Sequence, residues 1–353
     1  MPLKAIINGQ TIISVDFGEK DWEQLKNAFK SKDVSIILPC CGSPAYPRTS
    51  KLGTKHFVHK VKGDCNWAPE SVDHLKLKEI IYKTCKEKEW NTETEYKSND
   101  WIADVFCYKG DVKFSFEVQL SKQSIDHAIE RQRKYNRDGV NAVWLYNGSP
   151  NFYKFVNNVP AISLKKNETD SLYYVFPSEE KKIELSSFIK DMLTGNVKYK
   201  TRVTLKRKQI TKIYKFEVEC WRCHRITPVI APYSSFVTRC GIELFGNMSL
   251  SDEDLGKVVS ELQRKGVKEL SDIGTIKKRF SKTMHESYWS NGCKYCDAII
   301  GEFFLDGDLL DYLNTNQDAK PILNVEFELN NREIKIVDYP HWCFKSDEGF
   351  CDE

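Results

Sequence analysis

The chain has 353 residues, of which 41% are hydrophobic and 29% charged, with a net charge of +3. That length allows two or three domains with real cores, and the composition is ordinary for a soluble globular protein. No apolar run approaches the roughly 18 residues a membrane span requires, so no membrane partner is expected, and the overall charge neither requires nor excludes nucleic acid.

The start, Met1-Pro2-Leu3-Lys4, leads into a strand-like pattern instead of a signal peptide. Apolar and polar residues alternate at 4–7 and 11–15, a short helix is predicted from Asp21 to Lys30, and Val34 to Leu38 reads as a strand. Residues 39–68 hold Pro, Gly, Cys and His without periodicity and read as loop. Pro69 suits the first turn of a helix that runs to about Lys88. A strand at Thr92–Lys97 and hairpin strands at Trp101–Tyr108 and Lys113–Gln119 follow. A basic helix then runs from Ser121 to Arg137, ended by Asp138-Gly139, before a buried strand at Val140–Tyr146. The order is αβββαβ, a mixed α/β unit. Residues 151–205 offer short strands and one helix, Glu179 to Met192. Lys198 to Lys215 holds eight Lys or Arg residues and no Asp or Glu. Residues 247–285 read as a helical insert, and the last fifty residues as strands with an acidic tail. The expected fold class is α/β (α+β), with an α/β leader and its Cys/His loop at 1–65 and the αβββαβ core at 66–150. Linking strands and a helix occupy 151–205, a cysteine-paired domain 206–305, and terminal strands 306–353.

Twelve cysteines without a secretory signal point to a reducing cytoplasm. Four of them form two Cys-x-x-Cys pairs, Cys220/Cys223 and Cys293/Cys296, each following a strand-like segment. This is the form of a zinc ribbon, four thiolates around one structural Zn²⁺. The stretch of about seventy residues between the pairs is far longer than the usual fifteen to twenty or so. A second cluster is Cys40-Cys41-Gly42, His56-Phe57-Val58-His59 and Cys65. It reads either as zinc on Cys41, His59, Cys65 and one further ligand, or as a packed loop with a hydrogen-bonded histidine.

The hairpin carries the chemistry. With Gly110-Asp111 as its loop, Asp104 lies directly across from Glu117, and opposed Cβ atoms are roughly 4.5–5.5 Å apart. Gln119 shares their face, while Val105, Cys107, Phe114, Phe116 and Val118 form an apolar face. Two opposed carboxylates destabilise a sheet unless a cation lies between them or one is protonated. That points to a divalent-metal site for phosphodiester cleavage. Taken alone, an exposed acidic hairpin is more often a solvated face.

The segments Glu70-Ser71-x-x-His74-x-Lys76, Trp101-Ile102-Ala103-Asp104-Val105 and Glu117-Val118-Gln119-x-Ser121-x-x-Ser124 resemble the competence protein CoiA-like family. Arg131-x-x-x-Tyr135 and the strand from Gly139 to Trp144 do so as well. That family falls in the PD-(D/E)xK nuclease superfamily, whose core has the αβββαβ order read above. The resemblance covers roughly residues 36–150. It implies Mg²⁺- or Mn²⁺-dependent DNA cleavage, with Asp104 and Glu117 as metal ligands and Glu70 close enough to join them. Gln119 stands where the superfamily usually has lysine, which leaves no cation at that position for the transition state. His74, Lys122, Arg131 and Tyr135 are the expected substrate contacts, set against plain structural or solvated roles. The rival readings are a zinc-containing nucleic-acid-binding protein that does not cut, and a regulatory interaction module.

Overall fold

The computed structural model describes residues 2–61, 65, 70–121, 124–148, 159–178, 181–245, 258, 260, 271–282, 285–329 and 337–351. The chain divides into two compact units: Met1–Arg202 with Asp338–Lys345, and Val203–Val337 with Ser346–Glu353.

In the first unit, β1 (Lys4–Ile7) and β2 (Gln10–Ile13) form a hairpin. Its two-residue turn, Asn8-Gly9, has both φ angles positive, which matches the twist of the flanking strands. Helix α1 (Glu19–Lys30) buries Trp22 beneath this sheet, and the third strand, β3 (Ile36–Ile37), is shorter than the sequence predicts. The stretch expected to be loop instead contains a hairpin, β4 (Ala45–Thr49) with β5 (Lys55–His59). Pro47 obscured the strand signal there, because proline is depleted in strands and tolerated mainly at sheet edges.

Next come α2 (Val72–Glu87), β6 (Asn91–Lys97), β7 (Ile102–Lys109), β8 (Val112–Gln119), α3 (Ile125–Arg137) and β9 (Asn141–Tyr146), which is the αβββαβ order. Then follow β10 (Ala161–Lys166), β11 (Tyr173–Phe176), β12 (Ile183–Glu184) and α4 (Leu185–Leu193), a helix that starts later than predicted. One seven-stranded sheet joins these strands in the order β12-β11-β10-β9-β8-β7-β6, with the β8–β9 and β9–β10 pairs parallel. Parallel strands need cover on both faces, and they have it. Leu75, Leu77 and Ile81 of α2 and Phe188 of α4 pack with Val105, Cys107, Phe116 and Val118 on one face. Ala128 and Tyr135 of α3 pack with Trp101, Phe106 and Trp144 on the other. Strand β13 (Val197–Val203) pairs with a late strand, Val337–Phe344.

The second unit is built on the long pair β14 (Lys208–Glu219) and β15 (Ile226–Val237), extended by β16 (Glu243–Phe245). A separate sheet contains β17 (Ile276–Ser281), β18 (Glu286–Gly292) and β19 (Ile299–Ile300). Helix α5 (Glu302–Thr315) and β20 (Leu323–Glu328) complete the unit, β20 pairing with β14, and β21 is the late strand Val337–Phe344. Two sequence expectations need correction. Residues 276–281, expected within a helical insert, are strand, and much of the remaining insert lies outside the described residues. The first part of the supposed terminal strands is α5, whose interior Gly307 and acidic residues disguise a helix that buries Leu305 and Leu309. Among the described residues, no helix is long and apolar enough to cross a membrane.

Candidate functional site

The hairpin turn and its apolar pairs agree with the sequence reading, and the placing of the two acids does not. Lys109 pairs with Val112 and Val105 with Phe116, but the paired register ends there, and Asp104 and Glu117, expected side by side on one face, turn instead to the helices on opposite faces, α2 and α3. Gly110 takes a positive φ of 58° at the turn, a conformation glycine adopts without steric cost. The two carboxylates therefore have different surroundings.

Asp104 belongs to a cluster built largely by α2. Glu70 directly precedes Ser71, whose side chain caps the helix by accepting from the His74 backbone N–H at 3.1 Å. The four-residue step from Glu70 to His74 spans about one helical turn. The donor atoms of Glu70, His74 and Asp104 all lie within 4.8 Å of one another. His74 Nε2 is 3.0 Å from the Val118 carbonyl oxygen and 3.4 Å from Asp104 Oδ2. A carbonyl oxygen can only accept, so Nε2 carries the hydrogen. His74 Nδ1 lies 3.6 Å from Glu70 Oε2, too far for a hydrogen bond, and is buried without a hydrogen-bond partner. Asp104 Oδ2 accepts from the Val118 backbone N–H at 2.8 Å.

One turn further along α2, Lys78 is fully buried, with Nζ 3.1 and 3.2 Å from the two Glu70 oxygens. It also pairs with Glu95 of β6. Burial works against the charge on Glu70, but Lys78 wins and holds this carboxyl down at about 2. Asp104 is also lowered, since His74 outweighs its burial. Burial depresses His74, yet the carboxylates of Asp104 and Glu70 lift it to about 9. Lys78 and Glu95 escape sequence reading, because a lysine on a helix and an acid on a strand usually mark solvated faces. Their one signal is that Glu70, His74 and Lys78 recur at four-residue steps.

Glu117 points to α3. Arg131 lies 2.5 Å from its Oε2, Tyr135 donates its hydroxyl to Oε1, and Ser115 Oγ is 3.2 Å from Oε1. At 3% exposure, burial raises this carboxyl to about 7 despite the guanidinium. Arg131 and Tyr135, expected to meet substrate, are therefore engaged by a buried carboxylate. The physical reason is that a charge removed from water requires a cation and hydrogen bonds. Arg131 also reaches the Ile102 carbonyl at 3.0 Å and stacks over Trp144. His74, expected at the phosphate, sits between two acids. Gln119 turns its amide onto the Ser121 carbonyl at 2.7 Å, and Lys122 lies outside the described residues.

Each unit also holds a cysteine cluster. In the second unit the sulfurs of Cys220 and Cys296 are 3.7 Å apart, and those of Cys223 and Cys293 3.6 Å. Four thiolates at about 2.3 Å from a tetrahedral Zn²⁺ would stand about 3.8 Å from one another, so the donor set fits zinc. Each pair closes the same knuckle. The His224 N–H returns to the Cys220 carbonyl at 2.8 Å and the Asp297 N–H to the Cys293 carbonyl at 2.9 Å. His224 and Asp297 both take a positive φ, 58° and 54°. In the first unit, Cys41, His59 and Cys65 gather with Cys40, which supplies the fourth donor the sequence reading left open. Cys41 Sγ is 3.3 Å from His59 Nε2. Cys240 and Cys351, which spacing alone does not connect, also approach in the second unit, with sulfurs 3.6 Å apart.

A mixed sheet flanked by helices, bearing clustered Glu, His and Asp at the start of α2 and on β7, is the framework of a nuclease-like domain. The sequence comparison agrees. Residues 70–218 match the family described as Competence protein CoiA, nuclease-like domain. Comparison with curated proteins gives no match.

Proposed function

We propose that the protein is a metal-dependent nuclease of the PD-(D/E)xK type acting on DNA, incoming or foreign. The convergence of Glu70, His74 and Asp104 carries the reading. A divalent cation held there would polarise a scissile phosphate and lower the pKa of an attacking water. The carboxylates of Glu70 and Asp104 are kept ionised by Lys78 and His74 and are the ligands best prepared for it. Glu117, on the adjacent strand, keeps a supporting place. Gln119 would orient water or phosphate by hydrogen bonding. The Cys220/Cys223/Cys293/Cys296 set, with four sulfurs and no fifth donor among its members, fits a structural zinc, and the Cys40/Cys41/His59/Cys65 set suits the same metal.

The test is a cleavage panel of single-stranded, double-stranded and branched DNA, with RNA beside it, in Mg²⁺ and in Mn²⁺. Asp104→Ala is expected to lower cleavage about 100-fold or more, the scale on which positioned charged groups act. Unchanged cleavage in Asp104→Ala rejects the assignment.

A second reading, nucleic-acid binding without cutting, is favoured by the neutral Gln119 and by the engagement of Glu117 with Arg131. It predicts salt-dependent binding, with no cleavage in any metal, that Asp104→Ala leaves intact or tightens.

A further inference from the structure

We propose that His74 is itself a metal ligand through Nδ1, making the Glu70–His74–Asp104 cluster a site for a first-row transition ion such as Mn²⁺ in preference to Mg²⁺. The inference rests on the metal-centre reading above and goes beyond it by naming the third ligand and the class of ion.

Three observations carry it. First, a histidine held only for packing has both ring nitrogens satisfied, whereas here Nδ1 is buried without a hydrogen-bond partner and faces Glu70 Oε2. Second, the opposite nitrogen donates to the Val118 carbonyl at 3.0 Å. Metal-binding histidines characteristically make such a bond, because it fixes the tautomer and leaves the lone pair on the ligating nitrogen. The same residue anchors a second ligand, since the Val118 N–H holds Asp104 Oδ2 at 2.8 Å. One peptide segment of β8 therefore sets the aim of both donors. Third, the local charge is incomplete. Glu70, Asp104 and Glu95 face the ammonium of Lys78, which contacts Glu70 and Glu95 directly. A divalent cation that takes the place of a proton on His74 Nδ1 would have two negative charges to balance.

The donor set then selects the ion. Mg²⁺ favours oxygen ligands and retains its waters, while imidazole nitrogen raises affinity along the Irving–Williams order. A cluster of two carboxylates and one imidazole thus discriminates against Mg²⁺, as a purely carboxylate site does not.

The experiment uses the full chain, given only the two equivalents of Zn²⁺ that the two cysteine sets would take and freed of any excess, because surplus Zn²⁺ would compete for the His74 site. Mn²⁺ is then added and its electron spin echo recorded, with calorimetric titrations of Mn²⁺ and Mg²⁺ alongside. The expected result is a nitrogen coupling on bound Mn²⁺ that changes isotope when the protein is grown on ¹⁵N-histidine. It should be lost in His74→Gln and retained in His59→Gln. Wild-type protein should bind Mn²⁺ at least about tenfold more tightly than Mg²⁺, and His74→Gln should erase most of that ratio. Bound Mn²⁺ without nitrogen coupling, a coupling that survives His74→Gln, or no Mn²⁺ binding at all would overturn the proposal. If His74→Gln does not fold, the isotope experiment on the wild-type chain decides alone. The two levels fail separately. Nitrogen-coordinated Mn²⁺ without cleavage of any nucleic acid would reject the nuclease reading and keep the ligand. Cleavage without nitrogen coupling would do the reverse.

Discussion

Asp104 and Glu117 are two carboxylates on the adjacent strands of one tight hairpin, and the structure gives them opposite environments. Asp104 is drawn to α2, where His74 and a backbone N–H hold it ionised. Glu117 is drawn to α3 and buried against Arg131 and Tyr135, where desolvation pushes it up to about 7. Register decides which residues are opposed. What lies above each face of the sheet decides what the carboxyl can do, and groups whose environments drive their pKa values apart take different roles.

The largest expected effect that separates them is on activity. If metal is held mainly through Asp104, Asp104→Ala removes cleavage about 100-fold or more, while Glu117→Gln costs about tenfold, measured under single-turnover conditions. Equal losses would make Glu117 a full partner in the centre and erase the contrast. Arg131→Met should come next. It strands a buried carboxylate and should cost about 3–5 kcal/mol in a denaturant titration, most of which returns when Glu117→Gln is added.

The pH dependence is smaller. Glu117 has a folded pKa above its ordinary 4.5, so unfolding favours loss of its proton. Its contribution is greatest below pH 4.5 and declines as pH rises toward and past about 7, by up to about 3 kcal/mol. The stability difference between wild type and Glu117→Gln should shift in that direction between pH 5 and 8. A flat difference would mean that Arg131 fully compensates the charge. Tyr135→Phe should give the smallest effect, about 2 kcal/mol, by removing one hydrogen bond to the Glu117 carboxyl.

The sequence made the hairpin legible because Gly110-Asp111 admits one register and the apolar residues fall on alternate positions. The αβββαβ order followed from periodicity, and the zinc-type cysteines from their spacing, despite the long stretch between the pairs. The direction of each carboxyl was not legible, since it depends on which helix covers that end of the sheet. Lys78 was hidden for a related reason. Nothing local distinguishes a buried lysine from an exposed one until Glu70 and Glu95 are seen beside it. The β4–β5 hairpin was obscured by Pro47, and α5 by a glycine and several acids in its own sequence. In both places packing overrode weak local preference.

Crystals of the zinc-loaded protein soaked in Mn²⁺, with diffraction recorded at the manganese absorption edge, test the central claim most directly. One anomalous peak within coordination distance of Glu70, His74 Nδ1 and Asp104 is the predicted result. A peak on Glu117 that displaces Arg131, or none in the first unit, would contradict it.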